Sequence, residues 1–535
     1  MHASEERQRG PERRRWAEYR PRLHAMIAGA VGVLLFPGPD LSWLAWVAFV
    51  PLLLILRRAA GRRDALARGW FAGFGFASGT LYWLTPNLVY FTPLAFAGVA
   101  VLWAPWGLIV YVSMRDRPSP KRAVLAVVMV PAGWVLIETV RSWKPFGGPW
   151  SLLGASQWDH PLELGLAALG GAWLVTFAIM ASNTAIAMAC ARLYSAWRPD
   201  PDTVQQPARR AAALFAAGCA AVAALAAAAG PLWLLGNPEP APSSVVKIAL
   251  VQPNIIQNEG ARFAAQIADT RRLAGSGVQL VVWGESSADY FAGNKSEIAT
   301  VEATSARIGA PIMVNGRSGS PDTAEYNTSY LVDAAGIAAQ YSKSRLVMFG
   351  EYIPLRTSLG WLDRITKAAG LSLTPGSGPV VMDSAGLRIG PLICFESAFP
   401  DMARSVARDG AQLLVYQSAD STFQGSTEPS QHASLAAVRA AETGRPAVQT
   451  ALTGASGAFD ARGRQLAWMS KDARGVVVVP IPLVQMDTPY DRYGNYVPVL
   501  AGIAVGGWAA LWAFGALRRR GRADNGASGD AASGA

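Results

Sequence analysis

The first 235 residues alternate long apolar stretches with short polar loops, and the pattern changes to short apolar runs after residue 245. The long stretches occupy residues 22–36, 41–57, 68–84, 93–113, 122–141, 162–191, 210–235 and, further on, 497–517. A run of about 20 apolar residues spans roughly 30 Å of hydrocarbon. The pattern therefore predicts a multi-span α-helical membrane domain of about eight transmembrane helices, seven of them within 22–235.

Short apolar runs between residues 245 and 496 predict strands, and the segments between them suit helices. Strands are predicted at 246–251, 278–283, 312–314, 328–332, 387–393, 413–416, 448–452 and 476–479, and helices at 263–273, 298–308, 400–407 and 432–443. Strands that alternate with helices indicate a layered α/β domain. A Pro-rich linker at 236–244 separates this domain, 245–496, from the seventh span.

The composition and the positions of the arginines predict how the chain sits in the membrane. Hydrophobic residues make up 51% of the sequence and charged residues only 16%. Basic clusters follow the second, fourth, sixth and last predicted spans, whereas the alternate loops are almost free of them. The positive-inside rule then puts both termini in the cytoplasm, as a tail at 1–21 and a disordered tail at 518–535, with 245–496 on the extracytoplasmic side. These loops also account for the net charge of +11 without a nucleic-acid partner.

The three cysteines do not form a disulfide framework. Cys190 and Cys219 lie inside predicted spans, and Cys394 is the lone cysteine of the outer domain. An unpaired thiol in an oxidising compartment is either buried or kept for catalysis.

Cys394 follows the apolar run 387–393, Glu285 follows the run 281–284, and Lys343 follows a β-prone segment. Ligand sites in α/β domains gather at the carboxyl ends of strands, so the three side chains are candidates for one site. A carboxylate and an ammonium beside a thiol are suited to acyl-cysteine chemistry. Each residue alone also has an ordinary structural explanation, as a salt-bridged acid, a surface lysine or a core cysteine.

The order of these residues, with the motifs at 343–354 and 392–396, resembles the nitrilase superfamily and, more narrowly, the apolipoprotein N-acyltransferase family. Further similar motifs lie at 138–141, 146–157, 251–255, 431–432, 439–446 and 488–494, so the resemblance covers roughly residues 22–517. Departures from the family pattern occur at Gly284, Phe395, Thr422 and Leu452, and they bear on substrate fit.

The resemblance implies an extracytoplasmic nitrilase-like sandwich of α-β-β-α layers and a division of roles within its site. Glu285 would be the general base, Cys394 the nucleophile, and Lys343 the cation that stabilises an oxyanion together with the backbone N–H of Phe395. Two further carboxylates, those of Glu351 and Glu396, would hold Lys343 and orient the thiol.

Aromatic and imidazole side chains are the predicted substrate contacts, namely Phe349, Tyr352, Trp361, His432 and Trp150. The segment 348–362 is the predicted lipid-touching lid, with a packed core loop as the alternative. Trp150 could instead belong to an interfacial aromatic belt.

By the same resemblance, a phospholipid, mainly phosphatidylethanolamine, would donate an acyl chain to the thiol, and the α-amine of a lipoprotein's N-terminal diacylglyceryl-cysteine would accept it. No metal or cofactor is expected, and we expect a monomer in the bacterial cytoplasmic (inner) membrane. Two alternatives stay open: a membrane-tethered amidase or carbamoylase that releases its product to water, and a non-catalytic envelope scaffold.

Overall fold

The computed structural model describes residues 11–116, 118–143, 148–197, 206–320, 324–353 and 372–532. The N-terminal part is helical, with α1 (Pro11–Ala30), α2 (Val50–Leu56), α3 (Arg62–Thr80), α4 (Thr85–Leu88), α5 (Thr92–Ala100), α6 (Trp103–Met114), α7 (Pro120–Arg141), α8 (Gly165–Trp197) and α9 (Gln206–Gly236). Short 3-10 turns at 31–35, 42–46, 82–84, 89–91 and 153–157 connect some of these helices.

Five helical segments among the described residues are long and apolar enough to cross a membrane: Tyr82–Met114, Pro120–Arg141, Gly165–Trp197, Arg209–Gly236 and Tyr496–Gly515. Each matches one predicted span. A shorter apolar helical segment, Ser42–Leu56, matches the second prediction. The first and third predicted spans fall on α1 and α3, which are helical without meeting the same criterion. The count of eight spans therefore stays a prediction.

Helix α8 is interrupted near its start. Gly170 and Gly171 leave the helical region, and Gly171 has a φ of +71°. The helix restarts at Ala172, whose backbone N–H donates to Oε1 of Glu442 at 2.8 Å. Because Glu442 belongs to the C-terminal part of the chain, this hydrogen bond ties that part to a membrane helix.

The C-terminal part begins eight residues after α9 ends and contains two sheets. Its strands are β1 (Ser244–Gln252), β2 (Leu280–Trp283), β3 (Ile312–Ser320), β4 (Ala324–Asp333), β5 (Gly336–Ser342), β6 (Met382–Ser384), β7 (Leu387–Ile393), β8 (Leu413–Ser418), β9 (Ala447–Ala451), β10 (Ser456–Phe459), β11 (Gln465–Met469) and β12 (Gly475–Leu483). Within the described residues they form two six-stranded sheets, ordered β12-β1-β2-β3-β4-β5 and β11-β10-β9-β8-β7-β6.

Parallel pairs form the centre of each sheet. Strands β1, β2 and β3 pair in parallel, as do β7, β8 and β9. The helices of this part are α10 (Glu259–Arg271), α11 (Lys295–Ile308), α12 (Pro400–Arg408), α13 (Glu428–Thr443) and the short α14 (Pro489–Tyr493), and α15 (Tyr496–Ala532) follows.

The alternation of side chains along β1 builds the layers. Ile248 and Leu250 belong to the core that includes buried residues of the second sheet, such as Leu414. Ala249 and Val251 point the other way, into a cluster with residues of α10 and α11. The sheets therefore pack face to face with helices outside, in the predicted α-β-β-α order.

Strands that the sequence pattern missed lie mainly at sheet edges. Strands β5 and β11 are edge strands with largely exposed residues, so they lack the continuous apolar run of a buried strand. Two helices also extend beyond the predicted spans. Helix α1 starts at Pro11 rather than at residue 22, and α15 continues to Ala532, where a disordered tail was predicted. Once a helix has formed in an apolar span, each further residue adds a backbone hydrogen bond, which favours such extension.

Candidate active site

Four strands end at the same place and carry the polar residues of the site. Glu285 lies two residues after β2, Lys343 directly follows β5, Cys394 directly follows β7, and Asp420 lies two residues after β8. The backbone N–H of Glu285 donates to the carbonyl of Ser418 at 3.0 Å, which joins the two sheets at this point. The site therefore forms where the carboxyl ends of strands from both sheets meet.

Lys343 is buried between two carboxylates. Its Nζ lies 3.1 Å from Oε1 of Glu285 and 2.8 Å from Oε1 of Glu351, and its side chain is 1% exposed. Burial alone lowers the pKa of Lys343, but the charges of Glu285 and Glu351 outweigh burial and hold the pKa well above its usual value. Lys343 is consequently a fixed cation at neutral pH, and its predicted partner Glu351 is in contact with it.

Two asparagines hold the carboxylate of Glu285. Nδ2 of Asn327 donates to Oε1 of Glu285 at 2.7 Å, and Oδ1 of Asn327 accepts from Nδ2 of Asn315 at 2.9 Å. Oδ1 of Asn315 in turn accepts from the backbone N–H of Ser286 at 2.8 Å. Sequence reasoning missed both asparagines. Asn315 offered a usable signal, because it directly follows the apolar run 312–314 and a buried polar residue needs a partner.

Cys394 lies in a strained turn. It has a φ of +50° and begins the 3-10 turn Cys394–Ala398 directly after β7. Non-glycine residues rarely adopt this left-handed conformation, and sharp turns of this kind often present functional groups. Burial and the carboxylate of Glu285 raise the pKa of the Cys394 thiol well above its usual value, although Lys343 opposes them. The thiol is therefore protonated at neutral pH and needs a base to react.

Glu396 connects the nucleophile turn to the loop that carries Lys343. The carboxylate is fully buried and accepts hydrogen bonds from the hydroxyls of Tyr341 and Ser344 and from the backbone N–H groups of Ser344, Arg345 and Ile393, all between 2.8 and 3.1 Å. Burial raises the pKa of Glu396, and these donors and Lys343 oppose the rise. The predicted contact of Glu396 with Lys343 is therefore electrostatic, and its hydrogen bonds fix the backbone on either side of Lys343 and before Cys394.

A loop of the membrane part packs on the same turn. The rings of Trp150 and Phe395 stack with centroids 6.0 Å apart, and the Trp150 ring meets His432 edge-on at 5.4 Å. Gly148 has a φ of +81°, and a Cβ there would lie 2.5 Å from the Phe395 ring. Glycine is thus required for the loop to approach, and Trp150 contacts the site rather than standing apart in a lipid belt.

The other predicted substrate contacts are only partly described. Phe349 has a φ of +61°, and its backbone N–H donates to the carbonyl of Tyr352 at 2.8 Å, so the two residues lie on one tight turn. Both are half-buried beside Glu351. Trp361 and the rest of the predicted lid beyond Ile353 lie outside the described residues. Roles of Phe349, Tyr352 and Trp361 in substrate binding stay predictions.

His432 is 1% exposed and lies beside the backbone of Cys394. Its Nδ1 lies 2.9 Å from Oδ1 of Asp420, and its Nε2 lies 3.0 Å from the carbonyl oxygen of Cys394. The Cys394 thiol, the Asp420 carboxylate and the imidazole lie within 4.8 Å of one another. Metal sites also combine such groups, but here both ring nitrogens already face protein acceptors. The set is therefore not assigned to a metal, and the role of His432 in substrate binding stays a prediction.

Comparison with known proteins gives the family. Residues 28–185 match the family model described as the Apolipoprotein N-acyltransferase N-terminal domain, and residues 247–488 match the one described as Carbon-nitrogen hydrolase. A protein of Azotobacter vinelandii named apolipoprotein N-acyltransferase is 32% identical over 525 residues, which cover 91% of this chain and 94% of the relative. The chain belongs to the apolipoprotein N-acyltransferase family.

Other relatives agree with this membership, which the motifs predicted. The proteins of that name from Geobacter metallireducens and Gloeobacter violaceus are 29% and 30% identical, over 93% of this chain and 95% and 96% of the relatives. Among solved structures, Saccharomyces cerevisiae Nit3, a nitrilase superfamily member, aligns with a TM-score of 0.36 and 20% identity over 45% of this chain and 90% of that chain.

Two of the departures from the family pattern contact each other. A Cβ on Gly284 would lie 2.0 Å from the backbone nitrogen of Leu452, so only glycine fits there. Leu452 also donates its N–H to the carbonyl of Ser418 at 2.8 Å, beside the Glu285 backbone. In this member of the apolipoprotein N-acyltransferase family, the backbones of Gly284 and Leu452 therefore pack directly against each other next to the general-base candidate.

Proposed function

We propose that this chain is the bacterial membrane acyltransferase that N-acylates the N-terminal diacylglyceryl-cysteine of lipoproteins, with a phospholipid as donor and a thioester on Cys394 as intermediate. One observation carries the proposal. A chain whose two segments match the two domains of this family also brings an acid, a buried ammonium and a thiol to the same strand ends.

In the first half-reaction, Glu285 accepts the thiol proton of Cys394 as the sulfur attacks the acyl ester carbonyl of the phospholipid. The S–C bond forms, the ester C–O bond breaks, and the proton passes from Glu285 to the glycerol oxygen of the departing lysophospholipid. Because the thiol is protonated at neutral pH, this step depends on the base. The ammonium of Lys343 and the backbone N–H of Phe395 stabilise the oxyanion.

In the second half-reaction, the neutral α-amine of the lipoprotein attacks the thioester carbonyl. The N–C bond forms, the C–S bond breaks, and the proton lost by the amine passes through Glu285 to the sulfur of Cys394. An aminolysis of this kind requires that water be kept from the thioester. Trp150 and Phe395, stacked beside the thiol, are placed to contribute to that exclusion and to contact the acyl chain.

The same proposal includes the placement of the molecule. Arginine-rich loops support cytoplasmic termini and an extracytoplasmic catalytic domain at 245–496. A site against the membrane part lets both lipids react without drawing an acyl chain into water, which costs about 0.8 kcal/mol per exposed methylene. We further propose phosphatidylethanolamine as the donor and a monomeric enzyme.

Mass spectrometry of the intact protein after incubation with phosphatidylethanolamine vesicles tests the proposal. An added acyl mass on the peptide that contains Cys394, with an equal amount of lysophospholipid released, is expected. Cys394→Ala should abolish both signals, and Glu285→Gln should abolish thioester formation while the protein stays folded. Cys190→Ala, which removes a thiol from α8, is the matched control and should acylate normally.

Three outcomes would contradict this function. A thioester that water resolves as fast as a lipopeptide amine indicates an amidase instead. Unchanged lipoprotein N-acylation by Cys394→Ala, in cells lacking any other copy of the enzyme, indicates a scaffold. Normal labelling of Cys394 by lipid in Glu285→Gln refutes the role of Glu285 as base.

A further inference from the structure

We propose that His432 is a positioning residue that acts as a buried imidazolium, donating one hydrogen bond to the carbonyl of Cys394 and the other to Asp420. In this role it holds the strained turn that presents the nucleophile. The inference rests on the proposed function of Cys394, but it assigns His432 a role other than substrate binding.

The acceptors on either side of the ring fix its protons. The carbonyl oxygen of Cys394 can only accept a hydrogen bond, so Nε2 of His432, 3.0 Å away, must carry a hydrogen. Nδ1 lies 2.9 Å from Oδ1 of Asp420, and we infer that Nδ1 carries the other hydrogen and donates it to this oxygen. Ser418 supports this assignment, because its Oγ lies 3.2 Å from Nδ1 but donates its own hydrogen to the same oxygen of Asp420 at 2.9 Å.

The charged groups around the ring fit a cation. Asp420 faces His432 from the loop after β8, and Glu428, on α13, lies 3.8 Å from Nδ1. Burial alone lowers the pKa of His432, but Asp420, Glu428 and the carbonyl of Cys394 outweigh burial and raise that pKa to about 9. Burial and the charge of Asp420 raise the pKa of Glu428 well above its usual value, and the charge of His432 opposes them. A buried imidazolium at this position therefore has carboxyl groups of two elements beside it, as a buried cation requires.

The membrane part completes the surroundings of the imidazolium. The Trp150 ring meets the imidazole at 5.4 Å with an interplanar angle of 67°. Trp150 also stacks on Phe395, the residue after the nucleophile. The imidazolium therefore contacts both the turn that carries Cys394 and the membrane-part loop that carries Trp150.

A charged donor is a strong anchor for the turn. Cys394 has a φ of +50°, a conformation that a non-glycine residue keeps only where its surroundings impose it. Hydrogen bonds from charged donors are roughly twice as strong as neutral ones. Because His432 holds the carbonyl of Cys394 itself, loss of the imidazolium should let the thiol leave its attacking position, with little effect on lipid binding.

Histidine NMR tests the protonation without any need for turnover. The chain has four histidines, so 15N-histidine labelling of the full protein in nanodiscs gives few signals, and His432→Gln assigns the one of interest. A doubly protonated ring at pH 7.5 that titrates near pH 9 is expected. A neutral ring at pH 7.5 overturns the proposal, whatever the enzyme does to lipids.

Single-turnover acylation of Cys394 by phosphatidylethanolamine then tests the positioning. His432→Gln should slow acylation about 10- to 100-fold with KM nearly unchanged, and the alkaline decline of the wild-type rate near pH 9 should disappear. Asp420→Asn, which leaves the ring in place, should move that decline to lower pH. His24→Gln, a histidine of α1, is the matched control and should change nothing.

The outcomes separate this inference from the proposed function. A wild-type protein that never acquires an acyl group on Cys394 refutes the proposed function. If His432→Gln acylates Cys394 with the same rate and pH profile as the wild-type protein, only the role of His432 is refuted. If His432→Gln does not fold, the shift expected for Asp420→Asn decides, and an unchanged profile in that variant also refutes the role.

Discussion

Replacement of Glu442 by Ala should destabilise the junction between the two parts of the molecule. Glu442 is fully buried on α13, accepts from the Ala172 backbone at 2.8 Å, and lies 3.1 Å from Nη1 of the fully buried Arg439. Loss of the acceptor at a helix start costs about 1 kcal/mol. A buried arginine left without its acid costs about 3 to 5 kcal/mol. We therefore expect a loss of about 4 to 6 kcal/mol in the free energy of unfolding.

Denaturant unfolding of the purified protein in detergent measures this loss. Glu442→Gln keeps an acceptor for Ala172 and removes the charge, so it should be about 1 kcal/mol less harmful than Glu442→Ala. The double variant Arg439→Met, Glu442→Leu removes both charges and should recover most of the stability. The reasoning is refuted if Glu442→Ala costs less than about 1 kcal/mol, or if the double variant is no more stable than Glu442→Ala.

Three further changes should have distinct effects. Gly284→Ala should cost about 1 to 3 kcal/mol of stability, because its Cβ would lie 2.0 Å from the Leu452 nitrogen; thermal unfolding measures it. Asn327→Leu removes a donor to Glu285 and should slow single-turnover acylation about 10- to 100-fold with KM unchanged. The pKa of His432 is about 9 in the folded protein and 6.5 in the unfolded chain. The protonated ring should therefore stabilise the fold fully below pH 6.5, and this contribution should be lost above pH 9. Denaturant unfolding at several pH values measures the change.

Each of these predictions has a control within the chain. Gly293→Ala adds a methyl group where nothing lies within 4 Å, so it should leave stability unchanged. Asn327→Asp should acylate more slowly than Asn327→Gln, because it places a second acid beside Glu285. If Asn327→Leu, Asn327→Asp and Asn327→Gln all acylate at the same rate, the proposed support of Glu285 by Asn327 is contradicted. A variant without His432 should lose less stability between pH 6.5 and pH 9 than the parent, and an identical loss excludes His432 as the cause.

The buried central strands could be predicted from the sequence, because each is a continuous run of apolar residues. Strand β7 is a continuous apolar run that ends at Cys394, and both features are visible in the order of residues. Strand β5, which ends directly before Lys343, has no such run because it is an edge strand. The sequence showed only a β-prone segment there, so the lysine was identified mainly through its motif. The layered α/β class followed from alternating strands and helices, and the sandwich followed from the family resemblance, while edges and helix ends followed from neither.

The partners of the site residues could not be predicted, because they meet only after folding. Asn327 reads as one polar residue in β4, and nothing near it in sequence indicates that its amide supports Glu285. Asp420 follows a buried strand and could equally be a solvated turn residue, yet it pairs with His432. Trp150 looked like either a substrate contact or a belt residue, and its stacking on Phe395 required the packing of one domain on another.

The interrupted helix α8 also constrains the order in which the molecule matures. Ala172 and its acceptor Glu442 are 270 residues apart, so this helix leaves the ribosome long before its partner has been synthesised. Until then the restart of the helix has an unsatisfied N–H group, which is costly in an apolar environment. The membrane part therefore reaches its final shape only after the C-terminal domain has folded against it. A chain arrested before that step leaves the N–H group of Ala172 without its acceptor.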